Sequence, residues 1–171
     1  MARWSLLLLS VVATAAAGDR LSTGAALPTL GGETLSGEQL QLPSAETGAT
    51  RVLVFSFAKA ASSDSKLWNE RLAKDLGPHA PIAFRVIFLE SVPKLFRSMA
   101  VSGIRGGIPH ELWDRTLMVY ADEDAWKSRL AVTSDKHSYV VMLDGYGRVR
   151  WMSTRPFNEA EYAEMRKALG R

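Results

Sequence analysis

Continuous apolar runs alternate along this chain with stretches whose apolar residues recur every three or four positions, and the alternation predicts an order of elements. Residues 51–58 read Arg-Val-Leu-Val-Phe-Ser-Phe-Ala, a run rich in β-branched and aromatic side chains of the kind buried in the middle of a sheet. Trp68, Leu72 and Leu76 then fall four apart. A helix is expected from Ser62 to Leu76, capped at its start by Ser62, Ser63 or Asp64 and stopped by Gly77-Pro78. Residues 82–89 form a second apolar strand. After Ser91, a natural cap, Val92, Leu95, Phe96 and Met99 stand at i, i+3, i+4 and i+7, which predicts a helix with one apolar face. Gly103 should end it, and Gly106-Gly107-Ile108-Pro109 should force a loop. Residues 116–121 are a third strand, and Asp124 starts a short helix holding Trp126 and Leu130.

The rest closes the domain. Residues 138–143 and 148–154 are strands joined by Asp144-Gly145-Tyr146-Gly147, a strong hairpin turn. Arg148 and Arg150 share one face of the second strand by the two-residue period. They suit an exposed strand near a sheet edge, where charge discourages further pairing, or a site for an acidic partner. Asn158 caps a last helix, Glu161 completes a capping box, and Phe157 and Tyr162 form a hydrophobic staple ahead of the stripe Tyr162, Met165, Leu169. Upstream, residues 22–50 are rich in Gly, Ser, Thr and Pro. Two short apolar pieces, 27–30 and 40–42, suggest a small hairpin there. Crossovers between the early strands imply parallel pairing, and the closing hairpin is antiparallel. The expected fold is α/β: a central mixed five-stranded sheet flanked by helices over residues 51–171, with an N-terminal hairpin extension over 18–50.

The first twenty residues change the picture of where the protein works. Arg3 opens a short basic start, residues 6–12 are apolar except for Ser10, and Ala13-Thr14-Ala15 and Ala15-Ala16-Ala17 both fit a small-x-small cleavage rule. That order is a secretory signal peptide over 1–17, with an apolar stretch short of the ~20 residues that span a membrane. Export to the periplasm or outside the cell is expected, with a mitochondrial presequence or an uncleaved N-terminal anchor as alternatives. Composition adds two exclusions. The formal charge of +3 is spread without a Lys/Arg block, so no nucleic-acid footprint is expected. The chain has no cysteine, which removes thiol–disulfide exchange and thiol-peroxidase chemistry.

This order of elements resembles the thioredoxin-like superfamily. In its redox members a strand like Val52-Leu53-Val54-Phe55 runs into a Cys-x-x-Cys loop at a helix N-terminus. Here the loop reads Lys59-Ala60-Ala61-Ser62-Ser63-Asp64, and the resemblance puts Ala60 and Ser63 at the cysteine positions. The cis-proline that the superfamily carries before its fourth strand would fall near Ser138, after His137, and no proline is there. Copper-carrying members add a histidine near this point. His137 stands close to it, but one histidine is too few ligands for a transition metal. The second half is similar to the mitochondrial ATP-synthase assembly-factor family in three pieces: Ile104-Arg105-Gly106-Gly107-Ile108-Pro109, Tyr139-Val140-Val141-Met142-Leu143-Asp144, and Gly147-Arg148-Val149-Arg150-Trp151.

The resemblance implies a redox-inactive exported domain that binds another protein, assisting assembly of a membrane or envelope complex, with no cofactor. Its contact groove would comprise the loop with Ala60, Ser62, Ser63 and Asp64, the loop with Ile108, Pro109 and Trp113, and the pair His137 and Ser138. Trp113 is the best exposed contact among the tryptophans, a residue type enriched at binding hot spots. The alternative is an enzyme or small-molecule binder using Ser63, Asp64 and His137 in the same groove; a metal carrier is the remaining reading. Asp122, Glu123 and Asp124 adjoin a helix start and lack further metal-ligand spacing.

Overall fold

The computed structural model describes residues 20–43, 48–76 and 82–170; the expected signal peptide lies outside them. Seven strands form one sheet: β1 (Leu30–Thr34), β2 (Gln39–Leu42), β3 (Arg51–Ser56), β4 (Ile82–Phe88), β5 (Thr116–Val119), β6 (Tyr139–Leu143) and β7 (Val149–Ser153). Their order across the sheet is β2-β1-β5-β4-β3-β6-β7. The central strands β3, β4 and β5 are parallel, as their helical crossovers require. On one side β6 and β7 continue antiparallel. On the other, β1 pairs antiparallel with β5 through Glu33 opposite Met118 and Thr34 opposite Leu117. That pairing corrects the expected five strands to seven. The N-terminal hairpin is part of the sheet, a long-range partnership that no local pattern signals.

Gly32 makes the junction possible. A Cβ there would overlap the carbonyl oxygen of Met118 and crowd Leu117. Gly32→Ala should therefore cost about 1–3 kcal/mol through overpacking. Chemical denaturation checks this, and hydrogen exchange should show the protection loss concentrated in β1 and β2.

Alternation along the strands sends side chains to two layers. Leu53, Phe55, Val86, Phe88 and Val141 pack on one face with Leu21, Leu27, Phe57 and Trp126. Trp126 belongs to α3 (Glu123–Arg129) and stacks on Phe55 at 5.5 Å. The chain before β1 runs over the start of β7 here. Leu21 N–H donates to the Arg129 carbonyl, Gly24 N–H to that of Val149, Val149 N–H to that of Ala25, and Leu27 N–H to that of Gly147. The opposite face carries Val52, Val54, Val140 and Met142 under α1 (Ser62–Leu76) and α4 (Glu159–Leu169). Trp68 and Leu72 of α1 and Tyr162 and Met165 of α4 are buried in that layer.

Local signals fare unevenly. Asn158 Oδ1 accepts from Glu161 N–H at 3.0 Å, as a cap should, and the Phe157 and Tyr162 rings lie 6.3 Å apart. The capping box is not closed, because the Glu161 carboxylate bonds Ser153 Oγ at 2.6 Å and Arg155 at 2.9 Å instead. In the β6–β7 turn, Asp144 Oδ1 accepts from the amides of Tyr146 and Arg148 at 2.8 and 2.9 Å. The Arg148 amide holds its pKa below the usual 3.8 against the opposing effect of burial, and the Tyr146 amide adds to the lowering. A carboxylate with a depressed folded pKa stabilises above its unfolded value, and the effect is lost as pH falls through the folded one. Asp144→Ala should thus lower the melting temperature at pH 7, with the gap from wild type shrinking as pH drops below about 3.8.

The helix α2 (Lys94–Gly107) departs most from expectation. It runs four residues past Gly103, and its start, after Pro93, has no side-chain cap. Its expected core residues face solvent: Leu95 is 83% exposed, Met99 66% and Phe96 49%. The inward row is Val101 and Ile104, packed with Val92 and Ile108 beside Leu35, Leu89 and Met118. Two arginines decide which face turns in. Arg97 donates to the carbonyls of Val92 and Glu90 at 3.0 and 3.1 Å and lies over Tyr120. Arg105 donates twice to the Leu35 carbonyl, at 3.3 and 2.9 Å, and lies over Trp113.

Candidate functional site

The end of the sheet corresponding to the redox loop is assembled from β3, α1 and β6. After Ser56 the chain makes a 3-10 turn over Lys59–Ala61 and enters α1 at Ser62. Ala61 is buried, while Ala60, Ser62 and Ser63 are exposed. Because Tyr139 is registered opposite Phe55, Ser138 falls beside Ser56, with the hydroxyl oxygens 3.3 Å apart in the interior.

Asp64 does not cap its own helix. Its Oδ2 accepts from the Ser138 amide at 2.9 Å and its Oδ1 from the Phe157 amide at 2.7 Å. One carboxylate thus ties the start of α1 to the entry of β6 and to the loop before α4. Ser138 is fully buried, so without Asp64 its amide would be an unsatisfied donor. An extended peptide laid along this edge would need that amide, and it is already taken.

His137 is also held. Its Nε2 lies 3.0 Å from the Thr154 carbonyl; a carbonyl only accepts, so Nε2 carries the proton. The imidazole stacks on Tyr139 at 4.9 Å. The Tyr139 hydroxyl donates to the Ser134 carbonyl and accepts from the amides of Thr133 and Ser134, fixing the loop that delivers His137. Sequence reasoning missed this role, since a tyrosine opening an apolar strand reads simply as core.

The expected groove is divided. Strand β5 is parallel to β3 and β4 and begins at Thr116, so Ile108, Pro109 and Trp113 precede it at the N-terminal end of the parallel strands. Ala60, Ser62, Ser63, Asp64, His137 and Ser138 gather at the opposite, C-terminal end of β3. Trp113 is half-buried: its Nε1 donates to the Ile108 carbonyl at 3.0 Å, and Arg105 and His110 cover its ring. Its role as an exposed contact is therefore corrected to that of a packing residue.

No hydrogen bond joins Ser63 to His137 among the described residues, so the enzyme alternative has no nucleophile–base pair in this geometry. Nor do the described residues hold a group of three or more metal-ligating side chains. Glu123 is buried and occupied: it accepts from Ser91 N–H at 3.1 Å and from Lys127 Nζ at 2.7 Å. That hydrogen bond raises the Lys127 pKa.

A thioredoxin-type sheet without thiols, extended by an N-terminal hairpin, narrows the relatives to be expected. The family model described as ATP10 protein matches residues 22–171. The chain belongs to the ATP10 family. Members of the ATP10 family serve ATP-synthase assembly. Solved structures confirm the thioredoxin-like fold. The thioredoxin domain of a thiol-disulfide oxidoreductase from Bacteroides vulgatus aligns with a TM-score of 0.57 at 17% identity, covering 86% of this chain and 97% of that one. A thiol:disulfide interchange protein from a Bacteroides species gives 0.58 at 14% identity, over 88% and 92%. A peroxiredoxin-like protein from Aquifex aeolicus gives 0.56 at 16%, over 90% of each chain. No curated protein matches this ATP10-family chain. Among the described residues no helix is long and apolar enough to cross a membrane.

Proposed function

We propose that this ATP10-family protein works without redox chemistry, as an exported protein-binding factor that assists assembly of a membrane complex. The observation that carries the reading is the fate of the former redox end. The fold is kept while Ala60 and Ser63 fall where the superfamily resemblance puts the thiols, and the polar atoms around them, Asp64, the Ser138 amide and His137 Nε2, are spent on internal bonds. Such an end presents a rigid surface rather than reactive groups. Exposed Ala60, Ser62 and Ser63 offer it to a partner, with family membership supporting an ATP-synthase subunit in that role.

A photo-crosslinking residue at position 63 in the full chain, expressed in its native cells, should capture a subunit of a membrane complex. Yield no higher than from a control at exposed position 66 would sink the reading. The variant His137→Gln, which keeps a donor for the Thr154 carbonyl but cannot act as a base, should complement a deletion strain nearly as well as wild type. Complementation falling a hundredfold or more, with the fold intact, would favour an enzyme instead.

A further inference from the structure

The outward side of α2 has no explanation within the fold. A solvent-facing helix surface in a globular protein is normally charged. Leu95, Phe96 and Met99 instead project into solvent. At 100° per residue they share a face with Ser102, Gly103 and Gly106 that carries no charge. A Cβ at Gly103, Gly106 or Gly107 would meet nothing within 4 Å, so these glycines weaken the helix without relieving any internal contact. They leave the backbone open to close approach by another chain.

Charge on α2 has one sign: Lys94 and Arg105 flank the apolar face, and Arg97 lies inward. From Ser91 to His110 the chain has Lys94, Arg97 and Arg105 and no Asp or Glu. Beside α2 runs a groove of about 410 Å³ lined by Glu33, Arg97, Ser98, Arg105 and Tyr120 over Met118. Both guanidiniums there are fixed by backbone carbonyls and an aromatic ring each, so little side-chain entropy would be lost in meeting a carboxylate. The carboxylate of Glu33 is the one acid lining the groove, against two arginines and the nearby Lys94. Glu90 turns its own carboxylate to the Glu123 amide.

We propose that α2 is a docking element for an acidic amphipathic helix of a partner protein. The partner's apolar stripe would lie on Leu95, Phe96 and Met99, and its carboxylates would reach Lys94 and Arg105 on the flank beside Leu95. A helix is the occupant that uses the whole surface, since the glycine half offers close backbone approach but no side chain to insert into lipid. The inference rests on the protein-binding reading above and adds a second contact, distinct from the Ala60–Ser63 end.

The test uses the full chain in its native cells with a photo-crosslinking residue at position 99 and, separately, at position 63. The expected adduct at position 99 maps to a helical partner segment with Asp or Glu along one flank. Lys94→Glu should cut its yield at least tenfold without moving the melting temperature, because Lys94 is exposed. Adducts with lipid, with a second copy of this chain or with a segment lacking acidic residues would overturn the proposal, as would a yield unmoved by Lys94→Glu. Capture at 63 with none at 99 removes the α2 site and leaves the assembly-factor reading standing. Capture at neither removes both.

Discussion

Asp64→Ala should lower the free energy of unfolding by about 3–5 kcal/mol, measured by urea denaturation. The side chain accepts two backbone hydrogen bonds from segments far apart in sequence, Ser138 and Phe157. A hydrogen bond to a charged group contributes roughly 1.5–3 kcal/mol. The Ser138 amide is buried, so water cannot replace the lost acceptor cheaply. Asp64→Asn should fall close to the alanine variant, since the amide end turns a donor toward one of two donors and removes the charge. Hydrogen exchange should speed up most at the amides of 138 and 157. A loss under about 1 kcal/mol would mean that the α1 start is held by packing against β3.

The second large effect lies beneath α1. Trp68→Ala should cost about 3–5 kcal/mol, the range for deleting a large aromatic from a core. The ring is fully buried and meets Phe157 at 5.2 Å, Trp151 at 6.1 Å and Tyr162 at 6.2 Å, so its loss leaves a cavity shared by α1, α4 and β7. Trp68→Phe separates two causes. The indole Nε1 is buried with no hydrogen-bond partner among the described residues, so phenylalanine removes an unsatisfied donor along with some volume. The two changes oppose one another, and a cost of about 1 kcal/mol or less is expected. A cost near that of alanine would show that ring volume alone sets stability there. Neither variant touches the exposed residues of the crosslinking tests, so a partially folded Trp68 variant that still crosslinks would show the binding end to be locally stable.

The fold was largely legible because its central strands are apolar on both faces and its helices carry periodic rows. Residues 51–58 and 138–143 could hardly be anything but interior strands, and Trp68-Leu72 could hardly face water. The place of β1 between β2 and β5 was not legible, since Gly31 and Gly32 leave it nearly without side-chain pattern and its β5 partner lies more than eighty residues away. The site was half legible. The Ala60–Asp64 loop and His137–Ser138 do meet, because both sit where β3 and β6 begin or end in register. The Ile108–Trp113 loop lies at the other end, and only the direction of β5 reveals that. In α2 the sequence carries two competing rows, Leu95-Phe96-Met99 and Val101-Ile104-Ile108. Periodicity cannot choose between them. The choice falls to Arg97 and Arg105, whose long stems reach carbonyls and rings on the inner side.

The strap made by the first described residues bears on when the domain can become complete. Gly24 is bonded to Arg148, 124 positions along the chain, and β1 completes its pairing only with β5. Contacts of such separation form late, because a long loop must close before they repay its entropy. During synthesis β1 can pair with β2 and β5 first, while the strap at Gly24–Leu27 waits for Gly147 to Val149. A chain whose first described residues strap its last hairpin leaves that side of the sheet uncovered until the hairpin exists, so a fragment ending before β7 should lack the strap's protection.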